Sequence, residues 1–152
     1  MGDGTSIRHH FQFLIGTDNI LRSVRVQIRK VGSPTDNVEC RVMDMDRTTV
    51  IAVSTTSILS SNLSANFQES AFVFNDVVLT PNQRYIIDIR RSSSNSATNH
   101  YEIEANGTNF YPYGQLHYFD GTNWIAYSGC LRFAIQMGFN HEMGKLRLSD
   151  ND

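Results

Sequence analysis

The fold class is decided by residues 24–29, which have the sequence VRVQIR. Valine and isoleucine alternate with arginine and glutamine along this stretch. Successive side chains of a β-strand point to opposite faces of a sheet, so the alternation predicts a strand with one apolar and one polar face. The same alternation recurs at residues 85–90 (YIIDIR) and 131–137 (LRFAIQM). These segments favour antiparallel sheets that bury one face against a core and expose the other face to water.

Weaker strand signals occupy the intervals between these three segments. They lie at residues 9–14, 38–45, 49–54, 70–74, 100–105, 115–119 and 123–127. Together with the three stronger segments they predict an all-β fold of roughly nine or ten short strands. A short helical turn is expected within residues 57–63.

Turn-forming residues separate the strand segments. Gly, Ser, Pro, Asp and Asn cluster at residues 32–37, Pro81 lies in a second turn, and residues 91–99 form a polar loop. Asp120 and Gly121 lie between two strand segments and predict a tight hairpin. An Asp-Gly pair accommodates the positive φ angles that a type I′ turn requires.

Composition argues against several classes of protein. Hydrophobic residues make up 40% of the 152 residues and charged residues only 18%, which does not suit a helical bundle. The chain has 9 Phe, 6 Tyr and 1 Trp, more aromatic residues than a disordered chain contains. The net charge of −2 argues against a general nucleic-acid-binding protein, because such proteins carry a basic excess. No apolar stretch has the length of a signal peptide or of a membrane span, so we expect neither.

Six motifs follow one another in a characteristic order. They are FQF at 11–13, RKVGSP at 29–34, VSTTS at 53–57, FVF at 72–74 leading to VLTPNQRY at 78–85, YGQLHYFDGTNW at 113–124, and LRF at 131–133. This order resembles the small jelly-roll domains of the choice-of-anchor type in bacterial surface proteins, and those of bacteriophage structural proteins. Such domains are similar to galactose-binding-like sandwiches and carbohydrate-binding modules.

The resemblance covers roughly residues 7–137 and implies a β-sandwich of jelly-roll topology. We therefore expect one such domain over residues 1–138, followed by a C-terminal extension or partner-contacting tail over residues 139–152. The family has no shared catalytic residues to transfer, and its fold hosts many roles. Its domains usually belong to longer proteins. A lone domain without a leader therefore fits a virion component, assembled in the host cytoplasm, better than a fragment of a secreted enzyme.

Aromatic and polar residues concentrate near the predicted hairpin. The candidate glycan-binding residues are Asn109, Tyr111, Tyr113, Asp120, Asn123, Trp124 and Tyr127. Sugars stack their apolar C–H faces on aromatic rings, and Asn and Asp side chains bind the hydroxyl groups. Core packing and a protein interface are the competing explanations, and they carry more weight because strands must bury apolar side chains somewhere.

A second set of residues is expected to contact a partner protein. Arginine side chains on polar strand faces can dock on an acidic neighbour, and apolar residues of the tail can clasp a neighbouring subunit. The candidates are Arg25, Arg29, Arg90, Arg91, Phe139, Met143 and Leu146. A solvated polar face is the alternative interpretation of the arginines. Edge strands of a sandwich also invite pairing with another chain.

No pattern of residues indicates catalysis or a metal site. No serine lies in a Gly-x-Ser-x-Gly elbow, and His141 lacks the second histidine of a zincin motif. Glu102 and Glu104 are expected to be solvated charges on one strand face. We expect no catalytic residue and no cofactor, although a structural calcium ion held by loop carbonyls stays open. Cys40 and Cys130 are expected to be buried thiols, and whether they pair is left open.

These expectations combine into a hypothesis about function. The protein is expected to be a non-enzymatic structural or decorating module of a virion, in a bacteriophage capsid or tail, or of a cell surface. Weak glycan adhesion is an additional expected property. The partners would be further copies of the chain, other virion or surface proteins, and glycans, but neither nucleic acid nor membrane. The alternative is a carbohydrate-binding module of a secreted glycan-degrading system, which would be secreted or attached to the cell surface.

Overall fold

The structure is a computed structural model that describes residues 8–15, 18–93, 96–106, 116–119, 122–127, 130–131 and 133–138. In these residues the chain forms 13 β-strands and one short 3₁₀ turn at Ser60–Asn62. The turn lies where the sequence predicts one. No α-helix occurs in the described ranges, and the all-β fold class is confirmed.

The strands follow one another along the whole described chain. They are β1 (Arg8–Leu14), β2 (Ile20–Val31), β3 (Asn37–Met43), β4 (Val50–Val53), β5 (Ile58–Leu59), β6 (Gln68–Val78), β7 (Arg84–Arg91), β8 (His100–Ile103), β9 (Ala105–Asn106), β10 (Leu116–Phe119), β11 (Trp124–Tyr127), β12 (Cys130–Leu131) and β13 (Phe133–Gly138). The described strands outnumber the expected nine or ten because β5, β9 and β12 contain only two residues each.

Two larger sheets and one two-stranded sheet contain all of these strands. The first has seven strands in the order β11-β10-β1-β7-β3-β4, with β5 also paired to β3. The second has the order β13-β2-β6, with β8 also paired to β2. Strands β12 and β9 form the small third sheet. All strand pairs in the described residues are antiparallel. Jelly-roll topology stays a prediction.

The two larger sheets share one hydrophobic core. On β2, Val24, Val26 and Ile28 are buried, whereas Arg25 between them is exposed. The alternation that opened the sequence analysis is therefore confirmed. These side chains belong to one cluster with residues of β3, β6, β7, β8 and β10. Each fully buried Val or Ile side chain stabilises the fold by roughly 1.5–3 kcal/mol relative to an exposed one.

Strand β7 departs from its sequence pattern. The alternation in residues 85–90 predicts one polar, solvent-facing side, but Ile86 and Asp88 on that side are fully buried. The prediction of a half-exposed strand is wrong here. Strand β7 is hydrogen-bonded to β1 on one edge and to β3 on the other, so it lies inside the sheet. It buries both of its faces.

The turns agree with their predicted positions. Asn82 has a φ angle of 60° in the turn between β6 and β7, a left-handed conformation that asparagine tolerates. Gly32 has a φ angle of 68°, and a Cβ atom added there would lie 2.1 Å from the carbonyl oxygen of Thr98. Glycine is therefore required at this position by both conformation and space. Strands β10 and β11 form the hairpin predicted around residues 120–121.

Candidate functional site

The hairpin of β10 and β11 carries the part of the aromatic cluster that the structure describes. Phe119 and Trp124 are cross-strand partners, and their ring centroids lie 5.2 Å apart with the ring planes tilted by 43°. Tilted pairs at this distance are a favourable arrangement of two aromatic quadrupoles. The Trp124 side chain is half-buried.

A cation lies over the ring of Trp124. The guanidinium carbon of Arg47 is 5.3 Å from the centroid of a Trp124 ring, within the range of a cation–π interaction. Arg47 belongs to the turn between β3 and β4, while Trp124 begins β11 at the other end of the strand order. The contact therefore joins the two ends of the seven-stranded sheet. It combines an aromatic pair with a charged hydrogen-bond donor in one place.

The other predicted glycan residues are distributed differently. Residues three apart in a regular strand point to opposite faces, so Tyr127 does not share a face with Trp124. Tyr127 is 42% exposed, and Asn123 is exposed just before β11. The structure brings Trp124 together with Phe119 and Arg47, and it separates Trp124 from Tyr127.

Several predicted residues lie outside the described part of the chain. These are Asn109, Tyr111, Tyr113 and Asp120 of the glycan set, and Phe139, Met143 and Leu146 of the partner set. Their predicted roles stay predictions.

The predicted arginines Arg25 and Arg29 are paired across strands. Arg25 reaches Glu69 at 3.4 Å on an exposed surface. Arg29 lies 2.5 Å from Glu102 and 4.6 Å above the centroid of the Phe67 ring. The outer face of β2 is thus a set of internal ion pairs between neighbouring strands.

The carboxylate of Glu102 is hydrogen-bonded to the side chains of two neighbouring residues. Partial burial acts to raise the pKa of Glu102, but hydrogen bonds from Arg29 and His100 outweigh burial and lower this pKa below its ordinary value. The side chain of Arg29 donates from Nε at 2.6 Å. The Nε2 atom of His100 lies 3.3 Å from the other carboxylate oxygen. Glu102 is therefore a charged member of a network rather than the solvated charge expected from the sequence.

Arg91 and Arg90 differ although they are neighbours. Arg91 is buried and forms two hydrogen bonds of 2.9 Å with the carboxylate of Asp36. It also donates to the carbonyl oxygen of Asn99 at 3.2 Å and lies 5.5 Å from the Tyr101 ring centroid. Its charge is therefore satisfied inside the chain. The Nε atom of Arg90 is buried and has no hydrogen-bond partner among the described residues.

A buried ion pair that the sequence did not suggest lies on β3 and β7. Arg41 donates to Asp88 from Nε at 2.9 Å and from Nη2 at 2.5 Å, and Asp88 is fully buried. Burial raises the pKa of the neighbouring Cys40 thiol, and the charge of Asp88 adds to this rise. Cys40 is a free, buried thiol. The sequence contains both Arg41 and Asp88, but nothing in it predicts that β3 pairs with β7.

The carboxylate of Asp46, in the turn between β3 and β4, is engaged by neighbouring residues. Asp46 accepts hydrogen bonds from the backbone amides of Thr48 and Thr49, each at 2.8 Å. The hydroxyl of Thr49 donates to the same carboxylate at 2.5 Å. These bonds, with the Thr49 hydroxyl first, lower the pKa of Asp46 below its ordinary value. The carboxylate closes the turn between β3 and β4.

Other observations bear on cofactors, membranes and relatives. Within the described residues, no group of three or more His, Cys, Asp or Glu side chains could hold a metal ion. The helical content of the same residues includes nothing long and apolar enough to cross a membrane. No family model matches the chain, and no curated protein matches its sequence. The function must therefore be argued from the geometry of the chain itself.

Proposed function

We propose that the protein is a non-enzymatic structural module that builds or decorates a larger surface. The surface is that of a virion, such as a bacteriophage capsid or tail, or of a cell. The supporting observation is that exposed apolar side chains lie on the strands that end the seven-stranded sheet. On these two strands they are Val50, Ile51 and Val53 of β4, and Ile125 and Tyr127 of β11.

Edge strands are natural sites of association. A strand at the end of a sheet presents unpaired backbone donors and acceptors, and most proteins blunt it with charges, proline or a bulge. The sequences of β4 (VIAV) and β11 (WIAY) contain neither a charge nor a proline. Three of the four predicted partner arginines in the described residues have acidic partners within the chain. The apolar edges, rather than the arginines, are therefore the surfaces suited to docking.

Self-association tests this proposal. Sedimentation velocity and light scattering of the purified chain across a wide concentration range should show species larger than the monomer. The association should persist in about 1 M NaCl, where the Debye length is ~3 Å, because apolar burial is not screened by salt. A chain that stays monomeric at every concentration contradicts the proposal. Dissociation by salt would instead indicate that the interface is formed by the arginines.

The second candidate function is carbohydrate binding, favoured by the contact of Trp124 with Phe119 and Arg47. An aromatic ring beside a charged donor can stack a sugar ring and bind a hydroxyl group. A glycan array should then show specific binding that Trp124→Ala abolishes. Phe67→Ala is the matched control, because Phe67 is likewise an aromatic ring beneath an arginine and is 40% exposed. A blank array, or binding that Trp124→Ala leaves unchanged, contradicts this function at this site.

A further inference from the structure

The described edges of the sheets differ in how open they are to another chain. Strand β6 ends the second sheet, but its edge is already covered. The amide of Thr55 donates to the carbonyl oxygen of Val73 at 2.7 Å, and the amide of Val73 donates to the hydroxyl of Thr56 at 3.0 Å. Strand β6 also carries the charges of Glu69 and Asp76. A partner strand would have to displace the Thr55 and Thr56 bonds and cover these charges.

Strand β4 is open but irregular. Its pairing with β3 shifts register, so that Met43 pairs with Val50 and Val42 pairs with Ala52. Ile51 is the extra residue of this bulge. A bulge bends the strand and interrupts the row of backbone groups that a new strand would need. The edge of β4 is therefore a poorer template than its sequence suggests.

Strand β11 is regular, and the contact that it receives from Arg47 falls on the ring of Trp124, its first residue. Its four residues pair with β10 without a register shift, and no other described strand pairs with it. It carries no charge, so joining it to another uncharged strand removes no ionised group from water. A charged partner strand would lose hydration without finding an opposite charge on β11. A second copy of β11 matches it in charge, length and regularity.

We propose that β11 pairs antiparallel with β11 of a second copy of this chain, around a two-fold axis at Ala126. This inference rests on the proposed structural function and names its partner. A strand that meets its own copy around a two-fold axis forms an isologous contact, which closes as a dimer. The two seven-stranded sheets then form one continuous sheet.

The register follows from the exposed side chains of β11. Residues directly opposite in an antiparallel pair share a face. With Ala126 on the axis, Ile125 of each copy lies opposite the partner's Tyr127. Both residues are exposed in the single chain, by 36% and 42% respectively. Two equivalent aromatic–β-branched pairs form in this register, whereas a register centred on Ile125 would place Tyr127 opposite a polar Asn123.

Cysteine cross-linking at the axis tests the pairing. Opposed Cα atoms in an antiparallel pair are about 4.5–5.5 Å apart, within the ~4.4–6.8 Å that a disulfide spans. In a Cys130→Ser background, Ala126→Cys should form a disulfide-linked dimer under mild oxidation. Asn123→Cys is the matched control, because Asn123 is exposed next to the same strand but would lie far from its own copy. The background variant alone should give no disulfide-linked dimer.

A second variant pair measures the apolar contribution. Tyr127→Lys should raise the dimer dissociation constant by about tenfold or more, because the lysine would enter an apolar pair without an acidic partner. Val78→Lys is the control, since Val78 is 70% exposed on β6 and should leave association unchanged. Circular dichroism and thermal unfolding establish that both variants fold.

The outcomes separate the pairing from the proposed function. Cross-linking of Ala126→Cys alone, together with loss of association in Tyr127→Lys, supports the pairing. An oligomer that neither cross-links at position 126 nor weakens in Tyr127→Lys overturns the pairing but leaves the structural function standing. Equal cross-linking of Asn123→Cys also overturns it, because random collision would then explain the disulfide. A wild-type chain that is monomeric at every concentration overturns both proposals.

Discussion

Strands β7 and β11 belong to the same sheet, but the buried strand contains charged residues and the exposed strand contains none. Strand β7, with the sequence YIIDIRR after Arg84, contains several charged residues, yet most of its length is buried. Strand β11, with the sequence WIAY, contains no charged residue, yet three of its four residues are exposed. Composition by itself therefore does not decide which of the two strands is buried.

The reason lies in the neighbours of each strand. Strand β7 is paired on both edges, by β1 and β3, and Arg41 on β3 supplies a counter-charge for the buried Asp88. Strand β11 is paired by β10 alone among the described strands. The chain therefore carries charge on a strand whose neighbour supplies a counter-charge, and carries none on a strand that the described residues pair on one edge only.

The largest effect is expected from breaking the buried ion pair of β7. Asp88→Ala should lower the free energy of unfolding by about 3–5 kcal/mol, because it leaves the charge of Arg41 without its carboxylate. Urea denaturation followed by circular dichroism measures this loss.

A double variant sharpens this result. Replacing both partners, as in Arg41→Met with Asp88→Leu, should cost much less than Asp88→Ala, because no uncompensated charge remains. If the double variant is as unstable as the single variant, the pair does not act as the counter-charge of β7.

The same substitution at the centre and at the edge tests the comparison directly. Ile87→Ala on β7 should cost about 2–3 kcal/mol or more, because it leaves a cavity in a fully packed core. Ile125→Ala on β11 should cost about 0.5 kcal/mol in dilute, monomeric protein, as is usual for a surface position. Equal losses in the two variants would mean that β11 is packed as tightly as β7.

A smaller, pH-dependent effect is expected on β8. The pKa of Glu102 is lower in the folded chain than in the unfolded chain, so its ionised form stabilises the fold. This contribution is complete above the unfolded pKa and is lost as the pH falls through the folded pKa. Glu102→Gln should therefore lower stability near neutral pH by at most about 1 kcal/mol. The difference from wild type should shrink in acid, and a difference independent of pH would contradict this account.

The smallest effect is expected from the exposed ion pair on β2 and β6. Arg25→Ala should change the free energy of unfolding by about 0–1 kcal/mol, because solvent screens its contact with Glu69. Association should also be unchanged, since this arginine lies away from β11. A marked loss of association in Arg25→Ala would favour the charged face as the docking surface.

Local patterns predicted much of the fold correctly. The alternation at residues 24–29 identified both the strand and its buried face, because β2 has one face on the core and one toward water. The helical turn near Ser60 and the hairpin of β10 and β11 were also predicted from short segments. Each of these features depends on residues within a few positions of one another.

Predictions that depended on distant residues were less successful. The polar side of β7 was expected to face water, because its sequence alternates as that of β2 does. Asp88 on this side is instead paired with Arg41 of β3, which is 47 residues away in the chain. Likewise, Arg91 was grouped with surface arginines, but Asp36 lies 55 residues away in sequence and takes up its charge.

At the candidate site, too, contacts between nearby residues were predicted and contacts between distant residues were not. Trp124 was singled out from its aromatic neighbours along the chain, and Phe119 indeed packs against it across the hairpin. The contact with Arg47 could not be predicted, since it joins opposite ends of a seven-stranded order. The place of β11 at the end of the described strand order could not be predicted either, because a sequence shows which residues a strand contains but not what lies beside it.

The sequence alone determined the strands, the turns and the apolar face of β2, because each follows from the preferences and spacing of neighbouring residues. Tertiary structure alone decided which strands lie at the centre of a sheet, which charges are paired, and which of the described strands end a sheet. Strand pairing joins segments tens of residues apart, and its register is set by the packing of the whole core.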